Sequence, residues 1–247
     1  MSADELTLNG LDPARGIVVA IDGPAGAGKS TIARLLARHF GLLNLESGAM
    51  YRAFALKALR AEIPLDESTR LEGLAAETAI CLEPGQEENR VLLDGEDVTG
   101  LIRNRTVTDA ASRVSVFPAI RAWMVRMQQQ LGAGGGVVME GRDIGTVVFP
   151  HAEVKIFLDA SPEVRGLRRF DQLGPHPAVQ PEEVIRDLRA RDERDRNRAD
   201  SPLKPASDAI LLDSTRMTLE ETAAAAVAIV AAKLNGADRQ TTAASIR

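Results

Sequence analysis

The sequence predicts an α/β fold in which a parallel sheet is covered by helices on both faces. Three observations carry that prediction. Short apolar runs, Ile17 to Ile21, Val137 to Met139 and Val154 to Leu158, alternate with helix-like stretches. Strands buried on both faces read as nearly unbroken apolar runs, whereas half-exposed strands alternate. A glycine-rich turn joins the first run to Ile32-Ala33-Arg34-Leu35-Leu36-Ala37, the strand-turn-helix order of a parallel unit. Finally, the 247 residues are 45% hydrophobic and 26% charged, enough for one full core.

The turn itself is Gly23-Pro24-Ala25-Gly26-Ala27-Gly28-Lys29-Ser30-Thr31, a G-x-x-x-x-G-K-S match in the required context. Its glycines let successive N–H groups curl into a concave nest, and the following helix adds its positive dipole end. Lys29, expected on an exposed loop, would reach the β- and γ-phosphates of a bound ATP. Ser30 would offer its hydroxyl to Mg²⁺.

Composition excludes other classes. The net charge of −5 argues against wholesale nucleic-acid binding, which needs a basic face. The one cysteine, Cys81, rules out an intrachain disulfide framework, fits a reducing cytosol and reads as a buried small hydrophobe. His39, His151 and His176 stand apart, without zinc-site spacing. Met1-Ser2-Ala3-Asp4-Glu5 is no secretion signal, and the apolar stretch Ala223 to Ala232 falls short of the ~20 residues of a membrane span. A cytoplasmic protein, away from membranes and monomeric, is expected.

Residues 1–14 read as a disordered tail. The first strand covers about Gly16 to Ile21, and the helix after the turn stops at Gly41. Leu42 to Leu45 is a second strand, and a helix begins near Ala49. Another helix is expected over about 66–79, a loop over Glu83 to Asn89, and a hairpin about Asp94-Gly95. This β piece among helices marks residues 63–102 as an insert. Helices follow at about 103–115 and 118–131, with Trp123 and Met127 sharing a core face. After the Gly132–Gly136 joint come strands at Val137, Val154 and Ala209. Between the last two lie a helix over about 162–172, a loop over 174–181 and an Arg-rich helix over 181–198. A helix from Leu219 to Leu234 closes the fold, and residues 235–247 are expected to fray. Ligands of such sheets bind at the carboxyl ends of the strands. That gathers the phosphate loop, Glu46-Ser47, Glu140 to Asp143 and Asp213 around one cleft.

A guanine-reading Asn-Lys-x-Asp is missing, and no run of four apolar residues ends in Asp-Glu. Both absences favour a small-molecule kinase over a switch or a motor. At about 100° per residue, Arg191, Asp195 and Arg198 fall within about 60° of one another, with Arg194 close by. Such arginines could clamp a migrating phosphoryl group, whose charge spreads over its oxygens; a solvated, salt-bridged helix is the alternative.

Four stretches together carry a family resemblance. They are Asp22 to Thr31, Glu46-Ser47-Gly48-Ala49-Met50-Tyr51-Arg52, Gly141-Arg142-Asp143-Ile144-Gly145-Thr146-Val147-Val148-Phe149-Pro150, and Arg191 to Arg198. In order and spacing, from about residue 16 to 234, the chain resembles the bacterial cytidylate kinases. The third stretch is the most specific. Glu46 stands where the family often has Asp, and Glu140 where some members do.

The resemblance implies a nucleoside-monophosphate kinase fold over residues 15–234, with a five-stranded parallel sheet. It also implies an Arg-rich lid over about 174–200 and a monophosphate-binding part enlarged by the insert. The implied reaction is Mg²⁺-dependent transfer from ATP to CMP or dCMP. Carried over by position, Arg52 and Arg142 would meet the CMP phosphate, and Ser47 would also bind CMP. Ser112, Arg121, Asp143 and Arg198 would surround the cytosine, and Arg191 with Asp195 the sugar. Lys29, Arg142, Arg191, Arg194 and Arg198 would carry catalysis. Two readings stay open beside it: another small-molecule kinase, acting on another monophosphate or on a metabolite hydroxyl, and a nucleotide-dependent binding or regulatory protein without turnover. An Arg121–Asp143 pair suited to cytosine would have no purpose for a hydroxyl substrate.

Overall fold

The computed structural model describes residues 16–83, 89–173 and 180–244. Five parallel strands, β1 (Val18–Asp22), β2 (Leu43–Glu46), β6 (Val137–Gly141), β7 (Val154–Asp159) and β8 (Ile210–Asp213), form one sheet in the order β2-β6-β1-β7-β8. Helices α1 (Lys29–Phe40), α2 (Ser47–Arg60), α3 (Ser68–Ala76), α4 (Arg105–Val114), α5 (Pro118–Leu131), α6 (Pro162–Leu173), α7 (Pro181–Arg196) and α8 (Leu219–Ala244) surround it. A second, antiparallel sheet is made of β3 (Ile80–Glu83), β4 (Arg90–Leu93) and β5 (Glu96–Asp97).

The two-residue side-chain period of the strands sends β1 to two cores. Val19 and Ile21 pack with Val138, Ile156 and Leu158 against Ile32 and Leu36 of α1 and Ala226 and Val230 of α8. Ala20, with Val137 and Met139, faces Met50 and Phe54 of α2 and Ile120 and Met124 of α5. Trp123 meets Phe54 edge-on at 5.2 Å and packs with Met127 against that second core, as expected. Gly41, with φ 67°, closes α1 by donating its N–H to Ala37 O, the left-handed cap that glycine adopts without strain.

The insert differs in detail. The helix expected over 66–79 ends at Ala76, because Ile80 and Leu82 bury themselves on a third antiparallel strand rather than on a helical face. The Asp94-Gly95 hairpin forms, with φ of 50° and 87° matching the twist of its strands. Cys81 alternates with the buried Ile80 and Leu82, so it is exposed and not a core residue. Most of the 83–89 loop, most of the 174–181 loop and the 1–14 tail lie outside the described residues. Helix α8 runs on to Ala244, past the expected stop at Leu234, since nothing beyond Leu234 is a proline. Among the described residues no helix is long and apolar enough to cross a membrane.

Candidate active site

The phosphate loop leaves β1 at Asp22 and enters α1 at Lys29. A Cβ on Gly23 would sit 1.9 Å from Leu158 O, so the loop passes the neighbouring strand too closely for any side chain. Gly28 has open space around it, but its φ of 96° at the start of α1 requires glycine. Gly26 likewise has φ 77°. Ala25 and Ala27 of the loop are buried. Lys29 is only 5% exposed, which corrects the expected exposed lysine: it donates Nζ to Pro24 O at 2.7 Å, folded inside its own loop. Burial, then Arg142 and Arg191, push its amine down to about 7 against the pull of Glu140. Ser30 donates its hydroxyl to Glu140 Oε1 at 2.9 Å, and Thr31 continues the first turn through Gly28 O.

Glu140 is the last but one residue of β6, and its carbonyl accepts the buried hydroxyl of Ser47 at 2.7 Å. The next residues form a π-helical turn, Ile144–Val148, which the sequence did not announce. Asp22 holds that turn by accepting the N–H groups of Ile144 and Gly145, both at 2.8 Å. Burial pushes its carboxyl up to about 6 despite those bonds. Arg142 and Asp143 thereby leave the end of β6 in opposite roles. Arg142 donates Nε to Asp195 Oδ2 at 2.8 Å, while Asp143 forms a buried ion pair with Arg121 of α5. Arg121 also donates to Ser115 O at 3.2 Å. Arg52 pairs with Glu46, whose carboxyl stays low despite burial because of Arg52 and Arg103.

The Arg-rich helix departs from the helical-face expectation. Helix α7 ends at Arg196, so Arg198 lies beyond it. A turn closed by Leu203 N to Asp195 O at 2.8 Å returns Arg198 to within 3.8 Å of Asp195. Arg191 also faces the cleft, and burial followed by the Arg142 charge pushes it down to about 10. Arg194 turns the other way and pairs with Asp109 of α4 at 3.3 Å, outside the buried set. Asp213 caps its own turn through Thr215 and stays exposed.

Among the described residues, five buried polar atoms here have no hydrogen-bond partner: Nε of Arg52, Arg121, Arg191 and Arg198, and Oγ of Ser112. An orphaned buried donor costs about 1–3 kcal/mol, so this arrangement is built to receive acceptors. Clustered guanidinium groups suit an anion, and the buried Arg121–Asp143 pair suits a polar ring. The expectation omitted Asp22 and Tyr51. Burial pushes the Tyr51 phenol up to about 12, with Arg121, Asp143, Arg198 and Asp195 all acting on it. A strand-terminal Asp and a helical Tyr carry no distinguishing spacing; only adjacency to the glycine loop and to Arg52 marked them.

The family model for cytidylate kinase matches residues 19–232. The chain belongs to the cytidylate kinase family. A cytidylate kinase of Pelotomaculum thermopropionicum is 50% identical over 216 residues, covering 87% of this chain and 96% of the relative. One from Mannheimia succiniciproducens is 46% identical over 221 residues, covering 89% and 98%. Another, from Pasteurella multocida, is 45% identical over 215 residues, covering 87% and 95%. As a member of the cytidylate kinase family the chain is a phosphotransferase.

Proposed function

We infer that the chain transfers the terminal phosphoryl group of ATP to CMP or dCMP, giving ADP and CDP or dCDP. The observation that carries this reading is the buried Arg121–Asp143 pair, with Arg121 tied through Ser115 to the turn that carries the partnerless Ser112 hydroxyl. Cytosine offers an amino donor and a ring acceptor side by side, which a carboxylate and a guanidinium match.

In this reading Gly23 to Thr31 hold the triphosphate, and Lys29 stabilises its β- and γ-oxygens. Ser47, Arg52 and Arg142 hold the acceptor phosphate, and Arg191, Asp195 and Arg198 close over it. Arg194, paired away from the cleft, supports catalysis only if it exchanges Asp109 for phosphate. The Ser30 hydroxyl and Glu140 carboxylate, 2.9 Å apart, are an oxygen pair of the kind that holds Mg²⁺ beside nucleotide phosphates. Mg²⁺, when bound, supplies charge neutralisation on the transferred group. The acceptor phosphate is already an anion and needs no general base, so the residues act by positioning and charge complementarity. Residues 63–102 serve the monophosphate and about 174–200 the lid.

A coupled assay of ADP release over a panel of monophosphates tests this. CMP and dCMP should be the preferred acceptors. Preferred use of another monophosphate, or of a metabolite hydroxyl, would overturn it, as would binding without turnover.

A further inference from the structure

Away from the cleft, a second ion pair grips the outer side of the phosphate loop. Arg165 of α6 is 1% exposed and Asp192 of α7 is 4% exposed. Arg165 Nη1 lies 2.6 Å from Asp192 Oδ2 and donates to Ala25 O at 2.8 Å, while its Nε donates to Ala160 O at 2.8 Å. Asp192 Oδ1 accepts from Ala25 N at 3.3 Å. Both backbone polar groups of Ala25 are thus satisfied by one buried pair, from two helices remote in sequence.

The peptide unit joining Pro24 to Ala25 matters most. Asp192 holds its N–H from outside, and Lys29 Nζ holds its carbonyl from inside at 2.7 Å. The next peptide unit is held through its carbonyl by Arg165. Gly26 then packs so closely that a Cβ would meet Arg165 O at 3.1 Å. Val184, Leu188 and Phe170 enclose Ala25 in a small apolar cluster that keeps water from these bonds.

We propose that Arg165 and Asp192 are positioning residues that orient the phosphate loop, and through the Pro24–Ala25 peptide the amine of Lys29, for nucleotide binding. Besides each other, the two side chains satisfy the backbone of Ala25 and the carbonyl of Ala160, so the pair fixes the path of the loop and not only a charge balance. Its geometry couples the Arg-rich helix α7 directly to the loop: displacement of α7 carries Asp192 away from Ala25 and frees the peptide to rotate.

The inference rests on the nucleotide-binding reading of the loop, and calorimetry separates the two. ADP with Mg²⁺, and separately CMP, would be titrated into the parent chain, Asp192→Asn, Arg165→Lys and the doubly apolar Arg165→Met/Asp192→Leu. Arg165→Lys leaves Asp192 a cationic partner, so no buried carboxylate is stranded in that variant. ADP affinity should fall about tenfold or more in every folded variant, with CMP affinity held within about twofold. The double variant leaves the backbone groups of Ala25 and the carbonyl of Ala160 without these partners, so it should melt below the parent and, where folded, still bind ADP poorly. ADP affinity within about twofold of the parent in any folded variant would overturn the inference, as would an equal loss of both ligands, the mark of general damage. An ADP-inert parent would instead sink the nucleotide reading, and this inference with it.

Discussion

Arg142 Nε donates to Asp195 Oδ2 at 2.8 Å, joining the carboxyl-end loop of β6 to the last turn of the Arg-rich helix. Burial alone would raise the Asp195 carboxyl. Arg142, Arg191 and Arg198 together outweigh it and hold the group below the usual carboxylate range. One carboxylate therefore keeps three guanidinium groups converged on one cleft.

Asp195→Asn should destabilise the fold by about 2–4 kcal/mol at neutral pH, since it strands buried cations. The folded pKa lies below the unfolded one, so the contribution is full above about pH 4 and is lost as pH falls through the folded value. Urea unfolding at pH 7 and near pH 3 checks this. The deficit of the variant should narrow at low pH; a constant deficit would mean that the ionised pair is not its source.

Lys29→Met should lower kcat by about 10²- to 10³-fold, by removing a charge aimed at the phosphates. Its stability effect follows from burial. With a folded pKa of about 7 and an unfolded one near 10.4, the unfolded chain holds the extra proton between those values. The parent should therefore gain stability as pH rises from about 7 towards 10, and the methionine variant should lack that gain. Unfolding curves at pH 7 and 9 on both proteins measure it. Identical slopes would place the amine in water.

Asp22→Asn probes the π-helical turn. The parent carboxyl titrates at about 6 folded and near 3.9 unfolded, so the folded state binds the proton more tightly between them. That contribution is present below about pH 4 and lost as pH rises through 6. The stability gap between parent and variant should then shrink by about 2–3 kcal/mol from pH 4 to pH 7. Exchange of the Ile144 or Gly145 amide should also quicken, because the two N–H groups face different carboxylate oxygens and the NH2 that replaces one of them donates and cannot accept. Unchanged exchange would separate Asp22 from the turn.

The sheet was legible because its three inner strands β6, β1 and β7 are buried on both faces and so read as apolar runs, and the phosphate loop because glycine spacing has few other uses. Gly41 marked a helix end by the same logic. Arg121 and Asp143 were reachable only through a family resemblance, since 22 residues separate them and no periodicity links a helix to a strand-end loop. Arg198 was placed on the wrong kind of element: the helical wheel put it beside Asp195, whereas a turn after Asn197 brings it there. Lys29 and Cys81 erred in opposite directions, because burial depends on how a loop folds over itself and on which face of a strand meets the core. The hold of Asp192 on Ala25 spans 167 residues and left no local trace.

The central claim, that Asp143 and Arg121 select cytosine at the acceptor site, is tested most directly by kcat/KM for CMP and UMP on the native chain and on Asp143→Asn. Uracil presents an acceptor and a donor where cytosine presents a donor and an acceptor, so it sets like groups against the buried pair. Two such mismatches, at about 1–3 kcal/mol each, predict a preference for CMP of about 10²- to 10⁴-fold. Asp143→Asn should narrow that ratio, chiefly by raising KM for CMP, because an amide can offer either a donor or an acceptor. A native chain that uses UMP as well as CMP, or a ratio unchanged by the substitution, would contradict the account.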